Sequence, residues 1–294
     1  MKARAFAPGH VSGLFAVHDE AADPLRKGSR GAGWCTELGA TAAAEPAATT
    51  KVTVDGRDEP APVTRTALAA LAPGKHLHVD LCLQLPVGQG FGMSAAGTLA
   101  ACLAACAALG LEPERALEAA HVAEVRHGTG LGDAIGSWFG CGEVRLQPGC
   151  PPHGWALRIE PPEGTRFLYA VLGQPLPTPA VIRDPVWAER TRLLGDAAVD
   201  RILKVGRDAA WPAILAESHA FSLALGLMPE RMRSLGAALP AEASWGQCML
   251  GTTMWVAGPE RALEQARRRL APEGAILEAG VDENGARLVR STPA

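Results

Sequence analysis

A chain of 294 residues, 48% hydrophobic and 20% charged, is long enough for one large or two medium domains and has the balance of a soluble globular protein. Its formal net charge of −3 leaves no basic footprint, which excludes nucleic acid as the main partner. Seven cysteines, an odd count without a C-x-x-C pair, argue against a zinc site or a disulfide framework and for a reducing, cytoplasmic compartment.

Lys2 to Phe6 predicts a short first strand, closed by Pro8 and Gly9. The N-terminal residues lack the apolar run of a signal peptide, in keeping with a cytoplasmic protein. Asp23 to Gly39, dense in glycine and charge, reads as a loop or irregular ribbon. Thr49 to Val54 alternates and meets Asp55-Gly56, a hairpin signal. His76 to Leu85 alternates as a longer strand, with His76 and His78 as structural residues. A helix then runs from Ser94 to near Gly110, with Cys102 and Cys106 as small buried side chains. The chain is uncharged from Leu81 to Leu111, but Pro86 and three glycines interrupt it. The helical part, about 16 residues or roughly 24 Å, falls short of a ~30 Å bilayer core, so no membrane contact is expected. Pro113, a good first-turn residue, opens a second helix that ends at Gly128. A glycine loop follows, GTGLGDAIG, and then a strand from Gly142 to Leu146.

The proline-rich stretch Pro148 to Pro162 predicts the crossing between two domains, residues 1–150 and 151–294. Beyond it come a strand at Phe167–Leu172, helices at Pro185–Leu203 and Ala209–Leu225, and a strand over part of Trp245–Val256. A helix at Pro259–Leu270 and a last strand at Ala275–Ala279 complete the chain, which has no internal repeat. The pattern is α+β in two halves.

Leu85 to Ala100, LPVGQGFGMSAAGTLA, carries the strongest chemical signal. Three glycines on alternate positions, Gly88, Gly90 and Gly92, join a strand to a helix. Glycine-rich turns that open a helix aim several N–H groups and the positive end of the helix dipole at one spot, which suits phosphate. The turn is no Walker A loop, since no Lys-Ser or Lys-Thr follows. The plain alternative is a tight strand-to-helix connection in a packed core. Ser94, at or next to the N-cap, either completes the helix end or faces a metal ion. Glu124 is a solvated helix charge or a ligand, and Asp133 a turn residue or a base. One carboxylate and one hydroxyl together with substrate phosphates suffice for magnesium.

PVGQGFGMSAAG resembles the central motif of the GHMP kinases, P-x-x-x-G-L-G-S-S-A-A, and Ala7-Pro8-Gly9-His10-Val11 resembles their first motif, A-P-G-K-V. Ser244 to Thr253 occupies the place of their third. Within the superfamily the run Gly28-Ser29-Arg30-Gly31-Ala32-Gly33, the string from Glu124 to Asp133, and Met249-Leu250-Gly251 are most similar to the archaeal-type pantoate kinases.

That resemblance implies an N-terminal domain like ribosomal protein S5 domain 2 and a C-terminal ferredoxin-like domain. It implies ATP with Mg²⁺, and phosphorylation of (R)-pantoate to 4-phosphopantoate on the way to coenzyme A. By the same resemblance Ser94 and Glu124 hold Mg²⁺, Asp133 is the base, and the loop from Pro86 through Gly88, Gly90, Gly92 and Met93 to Ser94 and Ala95 wraps the triphosphate. Met93 stands where many GHMP kinases have a first serine. His10 stands where they have lysine, which removes a fixed charge. Pantoate, a small carboxylate, calls for an arginine fork. Arg30 and Arg145, the latter on the strand after the catalytic loop, are equal candidates for the carboxylate, and Ser29 and His10 are expected to bind the substrate with them. A GHMP kinase for homoserine or mevalonate and a non-catalytic nucleotide sensor of the same fold are the rival readings, and a homodimer is left open.

Overall fold

The structure is a computed structural model that describes residues 1–174 and 184–289. Two long strands, Ala3–His18 (β1) and Gly28–Pro46 (β2), form an antiparallel hairpin at its centre. Pro8 and Gly9 do not end β1, contrary to the short strand expected. Register shifts beside Pro8 and between Ser12 and Leu14 absorb the residue that cannot donate to the ladder. The run expected to be a loop, Asp23 to Gly39, is mostly β2. Its glycines serve close strand packing, since a Cβ at Gly33 would stand 2.2 Å from the Val11 carbonyl oxygen.

Lys51–Val54 (β3) turns through Asp55-Gly56 into Arg57–Asp58 (β4), as the sequence predicts. Leu77–Leu83 (β5), Gly142–Gln147 (β6), Trp155–Ile159 (β7) and Arg287–Leu288 (β12) complete an eight-stranded sheet. Its order is β12-β1-β2-β5-β3-β4, with β6 paired to β2 and β7 to β6. The proline-rich stretch thus holds a strand of the first sheet, and the chain returns to that sheet at β12.

Helices Pro62–Leu71 (α1), Met93–Leu109 (α2), Glu114–His127 (α3) and the short Asp133–Phe139 (α4) lie with this sheet. The alanine-rich α2 packs on β1 and β2 while α1, α3 and α4 pack against it. A helix enclosed on all sides needs small apolar residues all round, which is why it shows no polar stripe.

Arg166–Val171 (β8), Ser244–Gln247 (β9), Thr253–Ala257 (β10) and Ala275–Gly280 (β11) form a second, antiparallel sheet in the order β11-β8-β10-β9. Helices Pro185–Lys204 (α5), Ala210–Leu225 (α6) and Glu230–Ala237 (α7) separate β8 from β9, and Glu260–Leu270 (α8) separates β10 from β11. That order and connectivity is the ferredoxin-like arrangement. Asp184 caps α5 by accepting from the Val186 and Trp187 N–H groups.

Alternation along β8 and β10 divides the second sheet's two faces. Leu168, Ala170, Met254 and Val256 join Ala266 and Leu270 of α8 in a small core. Phe167, Tyr169 and Trp255 face the other way into the large core. There the Trp34 ring of β2 stacks on Phe167 at 4.6 Å and donates its indole N–H to the Tyr169 hydroxyl at 3.0 Å, so one apolar core spans both sheets.

Candidate active site

β5 delivers the chain into loop 84–92, whose Gly92 takes φ 58° as the N-cap of α2, a conformation costly for a side chain. No side chain caps this helix, so its first-turn N–H groups remain available to an anion. Gly88 and Gly90 also have positive φ, Pro86 is exposed, and Met93 and Ala95 are buried beneath the helix start. Ser94 is the second helical residue and not the cap. Its hydroxyl donates instead to Glu124 Oε1 of α3 at 2.5 Å.

Asp133 lies at the first turn of α4 and not inside a loop. The carboxylates of Glu124 and Asp133 converge beside Gly130, where a Cβ would stand 2.6 Å from Glu124 Oε2 and 3.1 Å from Asp133 Oδ2. That Glu124 oxygen is buried without a hydrogen-bond partner among the described residues. Burial, with the Asp133 charge beside it, pushes the Glu124 carboxyl up to about 7, against the bond from Ser94. A divalent cation would reverse both effects, so a lone buried oxygen beside a serine hydroxyl fits Mg²⁺. Among the described residues no three His, Cys, Asp or Glu side chains stand at metal-holding spacing. An ion here would therefore take the hydroxyl, one carboxylate, phosphates and water, as magnesium does.

His10 of β1 is fully buried, with Nδ1 2.8 Å from Asp133 Oδ1 and Nε2 3.0 Å from Glu143 Oε1. Burial alone would lower its pKa, but the Glu143 charge and the hydrogen bonds to both carboxylates carry it up to about 9. The ring is therefore an imidazolium that donates from both nitrogens. Both ring nitrogens face carboxylates, an arrangement that favours a positive charge where the family's lysine stands. Burial by itself would raise the Asp133 pKa. The His10 N–H and charge, then Arg145 and the Ser12 hydroxyl, hold it below its ordinary value, so the carboxylate is ionised at neutral pH.

Arg145 of β6, buried, donates to Glu143 Oε1 and approaches the Ser12 hydroxyl at 3.4 Å. Its Nε has no acceptor and points to Gly132, where a Cβ would meet both that nitrogen and Ser29 Oγ at 2.6 Å. Arg145 and Ser29 thus join His10 and Asp133 at one place. Arg30 does not, because it points across β2 to α5 and binds Asp196 at 2.8 Å and Asp200 at 2.9 Å.

A cleft beside Asp133 is lined by Ser12, Ser29 and Gly132 and by the apolar Phe15, Met249 and Leu250. Loop 248–252 closes over it. Met249 N–H donates to the Ser12 carbonyl at 3.1 Å, and Thr252 Oγ1 donates to Gln89 Oε1 at 2.8 Å. On the other side of Ser94 a cavity of about 580 Å³ runs between the β3–β4 turn, Pro62 at the start of α1, Leu81 and Val87. A larger cavity, about 1100 Å³, lies on the second sheet far from these groups. Its Arg261 and Arg267 pair with Glu242 and Glu278.

Ser12, Gln89, Glu143, Thr252 and His121 escape a local reading of the sequence. The available signal was period-two alternation: His10 with Ser12 on β1, and Glu143 with Arg145 on β6. Ending the first strand at Pro8 concealed the first pair. Buried His121, one turn before Glu124, reaches the Lys27 carbonyl at 3.0 Å and so fixes the approach to Ser29.

Residues 62–141 match the family model for the GHMP kinase N-terminal domain. The pantoate kinase of Thermococcus kodakarensis is 32% identical over 286 residues, 92% of each chain. The pantoate kinase of Methanospirillum hungatei is 34% identical over 191 residues, an alignment that spans 60% of this chain and 63% of that protein. A solved phosphotransferase related to the CoA biosynthesis pathway superposes with a TM-score of 0.86 at 27% identity, covering 99% of both chains.

Proposed function

Because the chain belongs to the pantoate kinase family of the GHMP kinases, we propose that its site transfers the γ-phosphoryl group of ATP to the 4-hydroxyl of (R)-pantoate, with Asp133 as the base. The products are 4-phosphopantoate and ADP. The convergence of Ser94, Glu124 and Asp133 at the N-terminus of α2 carries the reading.

ATP takes its triphosphate into loop 86–92, against the free N–H groups of α2, and its base into the cavity beside Pro62 and Val87. Ser94 and Glu124 hold Mg²⁺, which supplies charge neutralisation on the phosphates. Pantoate enters the cleft under Met249 and Leu250. Phe15 and those two residues meet its gem-dimethyl group, while Ser29 and Arg145 receive its carboxylate.

Asp133 accepts the hydrogen of the attacking hydroxyl. An anion held below its ordinary pKa is a weak base, so its first task is orientation, and it takes the proton late as the bond to phosphorus forms. The His10 imidazolium prevents Asp133 from capturing a solvent proton beforehand. On this reading residues 1–150 supply the nucleotide and catalytic groups and 151–294 supply the closing loop.

An assay with ATP, Mg²⁺ and pantoate tests it. ADP should form with pantoate in preference to homoserine or mevalonate, and Asp133→Asn should lower kcat by ~10²- to 10⁴-fold. Full activity in that variant would reject the mechanism. A silent sensor has no use for a half-buried ionised acceptor beside its substrate cleft, which disfavours that alternative. We also propose a cytoplasmic setting; among the described residues no helix is long and apolar enough to cross a membrane.

A further inference from the structure

One buried group remains without a task. Glu143 of β6 has no solvent exposure and lies between two functional side chains, touching neither cleft. Its Oε1 accepts from His10 Nε2 at 3.0 Å and also from an Nη of Arg145, while its Oε2 has no partner among the described residues. His10 passes the constraint on to Asp133 Oδ1 at 2.8 Å. Arg145 passes it toward Ser29 and Gly132. Two cationic groups 3.5 Å apart, His10 Nε2 and Arg145 Nη1, would repel one another without this shared anion. Removing the anion would leave two buried cations facing each other, which is costly.

We propose that Glu143 is the positioning residue of this site: one carboxylate oxygen sets both the His10 ring that orders Asp133 and the guanidinium that receives the substrate carboxylate. The base and the clamp are thereby registered to the same atom. Small errors in either would misplace the hydroxyl relative to the phosphorus, and positional errors near 1 Å are expensive in rate. The inference rests on the assignment of Asp133 as base and Arg145 as clamp.

The groups that face His10 are few. Asp133 comes from α4, and Glu143 and Arg145 from β6. Cys35 comes from β2, its thiol pushed well up by burial and the Glu143 charge and therefore neutral. Glu124 of α3 lies beyond Asp133. The protonation of His10 thus reports on Glu143 above all.

The test is Glu143→Gln in the full-length enzyme, which keeps the shape and removes the anion. Expected are a pantoate KM raised by about 10-fold or more, a kcat lowered by about 10- to 100-fold, an unaltered KM for ATP, and an alkaline limb of the pH profile moved toward lower pH. Nitrogen-15 NMR of labelled histidine should show both His10 ring nitrogens protonated at pH 7.5 in the wild-type enzyme and one in the variant, with His10→Asn assigning the signal. An unchanged pantoate KM and pH profile would overturn the proposal, and so would a wild-type His10 with a bare ring nitrogen at that pH. If the variant does not fold, the wild-type signal decides. Full activity in Asp133→Asn alongside a doubly protonated His10 would instead reject the assignment of the base and leave the Glu143–His10 geometry standing.

Discussion

Glu124 Oε2 and Asp133 Oδ2 both lie beside Gly130, close enough to one point that a single methyl group on that residue would touch both. Gly130→Ala would place a carbon 2.6 Å and 3.1 Å from those oxygens, where Mg²⁺ and the hydroxyl are to meet. The backbone tolerates alanine there, since Gly130 is not among the positive-φ residues. The variant should fold, with a melting temperature close to wild type, but lose at least about 10-fold in kcat and need more Mg²⁺ for half-maximal rate. Normal Mg²⁺ dependence would show that the two carboxylates do not share one ion-dependent site.

Glu124 should make the ligand-free enzyme less stable as pH rises. Its carboxyl is lifted from 4.5 to about 7 by burial, so the folded state holds the proton that the unfolded state releases. The stabilising contribution is complete below about pH 4.5 and disappears as pH climbs through about 7, a difference on the order of 3 kcal/mol. Glu124→Gln should abolish that decline in melting temperature between pH 5 and 8 and remove activity. Equal slopes in the two proteins would refute the burial argument.

His10 acts in a higher window. Its folded pKa, about 9, exceeds the unfolded value of 6.5, so its contribution is full below about pH 6.5 and is lost as pH rises through about 9. Thermal denaturation of wild type and His10→Asn across pH 7 to 9.5 should give curves that approach each other with rising pH. Parallel curves would mean that the ring is neutral throughout.

The two arginines have different tasks. Arg145→Lys keeps a charge but loses the fork, and should raise the pantoate KM by about 10-fold or more while leaving the KM for ATP in place. Arg30→Gln frees Asp200 of α5 and leaves Asp196 with His18 at 3.2 Å, so it should cost only about 1–2 kcal/mol in urea denaturation. Steady-state kinetics showing the opposite pattern would move the clamp to Arg30.

Trp34 holds the two sheets together. It is fully buried, stacked on Phe167 at 4.6 Å and packed edge-on to Trp255 at 5.3 Å. Trp34→Ala should lose about 3–5 kcal/mol in urea unfolding. A loss under about 1 kcal/mol would mean that the sheets are joined chiefly elsewhere.

The sequence reading went astray where the tertiary partner outweighed the local signal. Pro8 and Gly9 punctuate a strand when read alone, but β1 carries them through as bulges because β2 lies along its whole length. Gly28 to Gly39 has a loop's composition and a strand's structure, since the glycines let two backbones and the Arg145 guanidinium approach closely. Helices α1 and α7 and strands β7 and β12 are short, and the helix-start prolines Pro62 and Pro229 were the marks left unread.

Ser94, Glu124 and Asp133 drew their expected roles from the family resemblance, whereas local chemistry was enough for the glycine turn, the helix it opens and the hairpin at Asp55-Gly56. These features depend on neighbours a few residues apart, where backbone freedom and helix termini are written in residue type. For His10 and Arg30 the partner depended on folding, because it lies more than a hundred residues away. Glu143 meets His10, and Asp196 takes Arg30 out of the site. No spacing along the chain encodes those meetings; the sheet register and the packing of α4 and α5 on the β1–β2 hairpin create them. The carboxylates brought to His10 then raise its pKa against burial, while burial raises that of Glu124.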